Sequence, residues 1–146
     1  MFDLIKHLAK NDIQHTVSDN GNITVTNDLN LEDVSDVDAL PDNLTVGDGL
    51  DLRGTSITTL PDNLTVGGGL DLRGTSITTL PDNLTVGGGL YLRGTSITTL
   101  PDHFSCNSLY LEAERISNIA YRKNCGYSSR TIFAAWTGKE FRIAAG

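Results

Sequence analysis

The chain has 146 residues, 38% of them hydrophobic, and a formal net charge of −7 at pH 7. This length is sufficient for one hydrophobic core, and no apolar run approaches the roughly 18 residues of a membrane-spanning helix. The sequence therefore excludes a membrane span and predicts a single domain.

Apolar residues at the N-terminus follow a helical spacing. Phe2, Leu4, Ile5 and Leu8 suit one face of a short amphipathic helix. Charged residues and a histidine interrupt residues 1–10, so the segment is too polar for the apolar region of a secretory signal. We expect residues 1–21 to form a cap, because an open solenoid end exposes core leucines and unpaired strand edges.

The central part of the sequence is an internal repeat. The segment LDLRGTSITTLPDNLTVGGG occupies residues 50–69 and recurs without a substitution at residues 70–89, and residues 90–102 keep its first half almost unchanged. More divergent copies extend the pattern to roughly Ile23 and Ile119. A faithful period of this length is typical of a stacked solenoid. We predict about five 20-residue coils over residues 22–119.

The sequence of each repeat predicts two short strands and two corners. In the first strand Leu50 and Leu52 face inward while residues 51 and 53 face outward. Ile57 and Leu60 point inward after a Gly-Thr-Ser turn, and Pro-Asp-Asn forms a second corner. Leu64-x-Val66 is a candidate second strand, and Gly67-Gly68-Gly69 permits a tight return.

The sequence of the repeats resembles that of known repeat families. LP-x-x-L followed by L-x-L-x-x-T-x-I resembles the short leucine-rich repeats of enteric-pathogen effectors, with Thr55, Thr75 and Thr95 near the usual Asn. LPDNLTVGGGLDLRGTSIT more closely resembles repeat proteins of bacteriophages and prophages of enteric bacteria. Gly47 stands where a leucine is expected, which leaves a flat β-solenoid and a curved horseshoe both open. The effectors often carry a cysteine ubiquitin-ligase domain, but only 27 residues follow Ile119 here, so that activity is not transferred.

The outward residues of the first strand form two columns. The first column is Asn30, Asp51, Asp71, Tyr91 and Tyr110, and the second is Glu32, Arg53, Arg73, Arg93 and Glu112. Aspartate beside arginine predicts a charge ladder, whereas Tyr with Arg is the composition enriched at protein-binding hot spots. The candidate partner-binding residues are therefore Tyr91, Arg93, Tyr110 and Arg73. The alternative is that the tyrosines pack beneath the C-terminal cap.

The C-terminal segment, residues 120–146, leaves the repeat pattern. Residues 131–136 and 140–143 predict a β-hairpin turning near Gly138, which would cap Leu109, Leu111, Ile116 and Ile119. The sequence stops at Gly146 directly after a strand, which predicts a truncated product or a strand that pairs with another copy.

Charge is unevenly distributed along the chain. Residues 1–119 hold 17 acidic and 6 basic residues, a net charge of −11, whereas residues 120–146 have a net charge of +4. A solvating acidic surface with a basic cap is the simplest interpretation. An acidic face that imitates nucleic acid is one alternative. Another is a basic nucleic-acid site formed by a cluster in the C-terminal segment: Tyr121, Arg122, Lys123, Tyr127 and Arg130.

Residues that carry catalytic chemistry are few and scattered. Cys106 is in register with Val46, Val66 and Val86 and is predicted to fill the core, while Cys125 has basic neighbours that could lower its thiol pKa. No C-x-x-C pair and no histidine spacing typical of zinc is present, so we expect no metal and no cofactor. The column of Asp42, Asp62, Asp82 and Asp102 is explained by Pro-Asp turns.

The sequence as a whole predicts a mainly β, leucine-rich-repeat-like solenoid with a helical N-terminal cap and a hairpin C-terminal cap. It indicates a non-enzymatic protein-interaction module of the bacterial cytoplasm, without membrane contact. The phage resemblance implies a factor that binds and inhibits a host protein, such as a defence component. Nucleic-acid binding or mimicry, and a structural oligomer joined through the solenoid ends, remain the alternative functions.

Overall fold

A computed structural model describes residues 1–101, 103–112, 115–117, 119–122, 132–136 and 141–145. These residues form a mainly β solenoid with one short helix, as the repeat pattern predicts. The helix is α1 (Leu4–Lys10). The strands are β1 (His15–Val17), β2 (Ile23–Val25), β3 (Leu29–Asn30), β4 (Thr45–Val46), β5 (Leu50–Asp51), β6 (Thr65–Val66), β7 (Leu70–Asp71), β8 (Leu84–Val86), β9 (Gly89–Tyr91), β10 (Phe104–Ser105), β11 (Ser108–Tyr110), β12 (Ile119–Arg122), β13 (Ile132–Trp136) and β14 (Phe141–Ala145).

The repeats build two parallel sheets. Sheet A has the order β1-β2-β4-β6-β8-β10, and sheet B has the order β3-β5-β7-β9-β11. Equivalent residues of successive repeats are direct partners, as in Thr45↔Thr65 and Leu50↔Leu70. The chain makes about four turns between the first and last rungs, slightly fewer than the five predicted coils. The second strand of each coil is confirmed, and the solenoid is two-sheeted.

The core lies between the two sheets and the corners that join them. Leu50 and Leu52 of one rung are buried, whereas Asp51 and Arg53 between and after them keep solvent contact. The same alternation recurs in every coil, and all these apolar side chains belong to one cluster. The predicted inward and outward faces are therefore confirmed. Cys106, predicted to fill the core, is half-buried and packs against this cluster.

Three threonines at equivalent corners are buried. Thr55, Thr75 and Thr95 are at most 7% exposed, and each hydroxyl donates to the main-chain carbonyl three residues earlier at 2.7–2.8 Å. The backbone N–H of each threonine donates to the same carbonyl. A buried hydroxyl without a partner would be costly, so these bonds make the corner compatible with the core.

The N-terminal cap combines the predicted helix with an additional strand. Asp3 caps α1 by accepting from the Lys6 N–H at 3.0 Å, and Leu4 and Leu8 are buried in the core. Ile5 was expected on the same face, but it is 44% exposed because α1 lies with only one narrow side on the solenoid. Strand β1, which the sequence did not predict, pairs antiparallel with β2 and covers the N-terminal edge of sheet A.

The C-terminal strands form a separate antiparallel sheet with the order β12-β13-β14. The predicted hairpin is confirmed as β13 paired with β14, and its turn near Gly138 lies outside the described residues. Ile119 was expected to be the last core residue of the solenoid; it instead begins β12 and pairs with Ala135. Cα atoms of strand β14 lie within 8 Å of Cα atoms of β11. Leu109, in β11, and Ile116, which follows it, are buried.

Candidate functional site

The outward face of sheet B carries the predicted site residues in two aligned columns. The pairings Asn30↔Asp51, Asp51↔Asp71, Asp71↔Tyr91 and Tyr91↔Tyr110 place the first column in strict register. Because the strands are parallel and in register, each side chain stacks on its equivalent from the previous coil. A substitution in any one rung therefore changes the chemistry of this face at that point.

The N-terminal part of this face is a closed charge ladder centred on Arg53. The Arg53 guanidinium lies 2.5 Å from Asp51, 3.0 Å from Glu32 and 3.4 Å from Asp71. Asp51 also accepts from the Arg53 backbone N–H at 3.1 Å. Asp71 binds Arg73 in the same manner, at 2.6 Å. Each aspartate thus binds both the backbone N–H and the guanidinium of the arginine two residues later.

The charges of this ladder perturb one another. Burial raises the pKa of Asp51, but hydrogen bonds from Arg53 outweigh that effect, and its pKa lies below the usual value. The hydrogen bond to Asp51 raises the pKa of Arg53, and the bond to Asp71 raises that of Arg73. Each of these three groups is therefore held in its charged form, as in an ion-pair ladder.

Aromatic side chains replace aspartate in the next two rungs. Tyr91 and Tyr110 stack with ring centroids 4.7 Å apart and an interplanar angle of 3°. The Arg73 guanidinium carbon lies 5.6 Å from the Tyr91 ring centroid, so this cation covers the other side of the same ring. We call Arg73, Tyr91, Arg93 and Tyr110 the Tyr–Arg patch. Both rings are half-buried.

The Tyr91 ring rests on the glycine corner of its own coil. A Cβ atom at Gly89 would lie 2.9 Å from two atoms of the ring and from its hydroxyl oxygen, and one at Gly69 would lie 3.5 Å from the ring. The missing side chain of Gly89 therefore allows the ring to lie low over the backbone. Tyr91 also lines a surface groove of about 450 Å³ that extends back to β3 and includes Asp28, Asp48 and Asp71. The sequence did not reveal this groove.

Arg93 differs from the two equivalent arginines. Its side chain is exposed, as that of Arg73 is, but no acidic group of the described residues forms an ion pair with it. Glu112 of the next rung is bound to Arg115 at 2.9 Å and accepts from the Gly94 N–H at 3.4 Å. Arg115, then Gly94, and more weakly Arg93 lower the pKa of Glu112, so it stays ionised.

The remaining predicted residues are not brought into a site by the described part of the chain. Tyr121 and Arg122 lie in β12, while Lys123, Cys125, Tyr127 and Arg130 lie outside the described residues, so the nucleic-acid hypothesis stays a prediction. Among the described residues no group of three or more His, Cys, Asp or Glu side chains could hold a metal ion. No helix in the described part of the chain could cross a membrane.

Two parallel sheets connected by short corners, with an ordered polar ladder on one outer face, define the chain as a parallel β-solenoid. Comparison with protein-family models, curated proteins and solved structures finds no match. Function is therefore inferred from the chemistry of the ladder and of the Tyr–Arg patch.

Proposed function

We propose that the chain is a non-catalytic protein-interaction module and that the Tyr–Arg patch anchors its partner. The single observation that carries this proposal is the change along one column of sheet B. Identical rungs satisfy their arginines with aspartates, whereas the next two rungs present stacked tyrosines beside an exposed arginine. Rigid aromatic rings supply contact area at low entropic cost, and Tyr and Arg dominate binding hot spots.

The proposed biological role is supported only by the amino-acid sequence of the repeats. Their resemblance to phage and prophage repeat proteins supports a factor that acts in the bacterial cytoplasm by binding and inhibiting a host protein. A solenoid suits such a role, because its stacked repeats create an extended, preorganised surface. The charge ladder suits the same role, since it fixes the orientation of Arg73 beside Tyr91.

The experiment is an affinity capture from bacterial lysate, followed by measurement of the captured partner's affinity for purified variants. We expect Tyr91→Ala and Arg93→Ala each to weaken association by roughly 30-fold or more, the effect of losing about 2 kcal/mol at a hot spot. Arg53→Ala is the matched control, because this arginine occupies the same column two rungs away and is already paired. It should bind nearly as the wild type does.

Circular dichroism must first show that each variant is folded. If folded Tyr91→Ala and Arg93→Ala bind the partner with unchanged affinity, the patch is not the anchor. The search would then move to the outer column of sheet A, where Thr45, Thr65 and Thr85 are aligned.

A further inference from the structure

The arginines of sheet B are bound by the residue two positions before them. In the rungs of β5 and β7 that residue is aspartate, which accepts from the arginine backbone N–H at 3.1 Å and from its guanidinium. In the rung of β9 it is Tyr91, which has no carboxylate and instead lies between Arg73 and Tyr110. The repeat unit is otherwise unchanged there, since LRGTSITTLPD is retained. The rung of Arg93 thus lacks one acidic group that its neighbours have.

The surroundings of Arg93 do not replace that group among the described residues. Asp71 is held by Arg53 and Arg73, and Glu112 is held by Arg115 and the Gly94 N–H. An exposed guanidinium beside two half-buried rings presents planar donors to an incoming group. A carboxylate can accept two parallel hydrogen bonds from the N–H groups of one guanidinium. The rungs of β5 and β7 already contain this arginine–carboxylate pairing.

We propose that the partner supplies the missing carboxylate: an aspartate or glutamate from a short acidic protein segment binds Arg93 while adjoining atoms pack on Tyr91 and Tyr110. This inference rests on the proposed function and specifies the partner's chemistry. A short acidic peptide segment is favoured over nucleic acid, because the chain carries a net charge of −7 and Asp71 and Glu112 flank the patch. That field repels a long polyphosphate chain more strongly than a short peptide with a few carboxylates.

The decisive variant is Tyr91→Asp, which restores the residue found in the two perfect repeats. The fold already accommodates this residue in that column, and the new carboxylate should occupy Arg93 from within the chain. The readout is the NMR signal of each arginine Nε–H group during titration with a blocked oligoglutamate peptide. An oligoglutamine peptide is the uncharged control, and a single-stranded oligonucleotide tests phosphate.

We expect oligoglutamate to shift the Arg93 Nε–H signal in the wild type and to leave Arg53 unmoved. Oligoglutamine should shift neither, and Tyr91→Asp should lose the Arg93 response. Equal shifts of Arg53 and Arg93, no shift in the wild type, or a retained shift in Tyr91→Asp would each overturn the inference. A shift by the oligonucleotide at physiological salt would overturn it in favour of nucleic acid.

A second variant covers the case in which Tyr91→Asp does not fold. In Arg93→Gln, the ring signals of Tyr91 and Tyr110 should no longer respond to oligoglutamate, whereas an unchanged response contradicts the proposal. The experiments distinguish failure of the carboxylate assignment from failure of the proposed function. If Tyr91→Ala weakens the captured partner but oligoglutamate leaves Arg93 unmoved, the patch is an anchor and the carboxylate assignment is wrong. If oligoglutamate shifts Arg93 but the alanine variants bind the captured partner normally, the anchor assignment is wrong.

Discussion

Replacement of Leu72 by alanine should lower the free energy of unfolding by about 2–5 kcal/mol, measured by urea or thermal denaturation. Leu72 is 0% exposed and belongs to the central rung, where coils pack on both sides. A cavity there removes contacts within its own coil and at two interfaces between coils, and these interfaces provide much of the stability of a solenoid.

The control is Asp71→Ala, one residue earlier on the opposite face. Asp71 keeps partial solvent contact and pairs with Arg73 and Arg53, which are 48% and 36% exposed, and ion pairs with exposed partners contribute about 1 kcal/mol each or less. Its replacement should therefore destabilise the chain far less than the loss of Leu72. Equal losses for the two variants would contradict the assignment of inward and outward faces.

A methyl group at Gly67 should destabilise the chain by about 1–3 kcal/mol or more, because overpacking forces the backbone to move. A Cβ atom there would lie 2.2 Å from the carbonyl oxygen of Gly47, and Gly87 meets Gly67 at the same distance. The neighbouring atom belongs to the backbone of Gly47, whose N–H donates to the Val25 carbonyl at 2.8 Å, so it cannot rotate away as a side chain could. Thermal denaturation of Gly67→Ala measures the effect.

Gly69→Ala provides a matched comparison within the same corner. A Cβ atom at Gly69 would meet its nearest neighbour at 3.4 Å, an ordinary contact distance. This substitution should change stability by only a few tenths of a kcal/mol, since the new side chain fits and also restricts the unfolded chain. If Gly69→Ala were as destabilising as Gly67→Ala, the corner would not be limited by contact between coils.

The repeat determined most of what the sequence could predict about the fold. Alternation in Leu50-Asp51-Leu52 assigns each side chain to a face, and an exact period brings equivalent residues into register, so the two outer columns followed directly. Strand β1 was missed because residues 15–17 lack a repeat partner. A signal was present in Asn20-Gly21, which favours a hairpin turn between β1 and β2.

The details of the candidate site depend on distances between coils, which a period alone does not supply. The register predicted that Tyr91 follows Asp71, but the position of the ring over Gly89 and between Arg73 and Tyr110 required coordinates. The groove behind Tyr91 arises from side chains of four successive rungs. The exposed position of Ile5 likewise depends on how α1 meets the solenoid, because helical periodicity does not fix how wide a face is covered.

Site-specific photo-crosslinking tests the central claim most directly. A photoreactive phenylalanine analogue replaces Tyr91 in one preparation and Thr65, on the outer face of sheet A, in another. Both proteins are exposed to bacterial lysate and irradiated, and crosslinked species are compared by mass spectrometry. The Tyr–Arg patch predicts a discrete crosslinked partner from position 91, suppressed by excess wild-type protein, and none from position 65. Crosslinking from position 65 alone, or to the same extent from both positions, would contradict it.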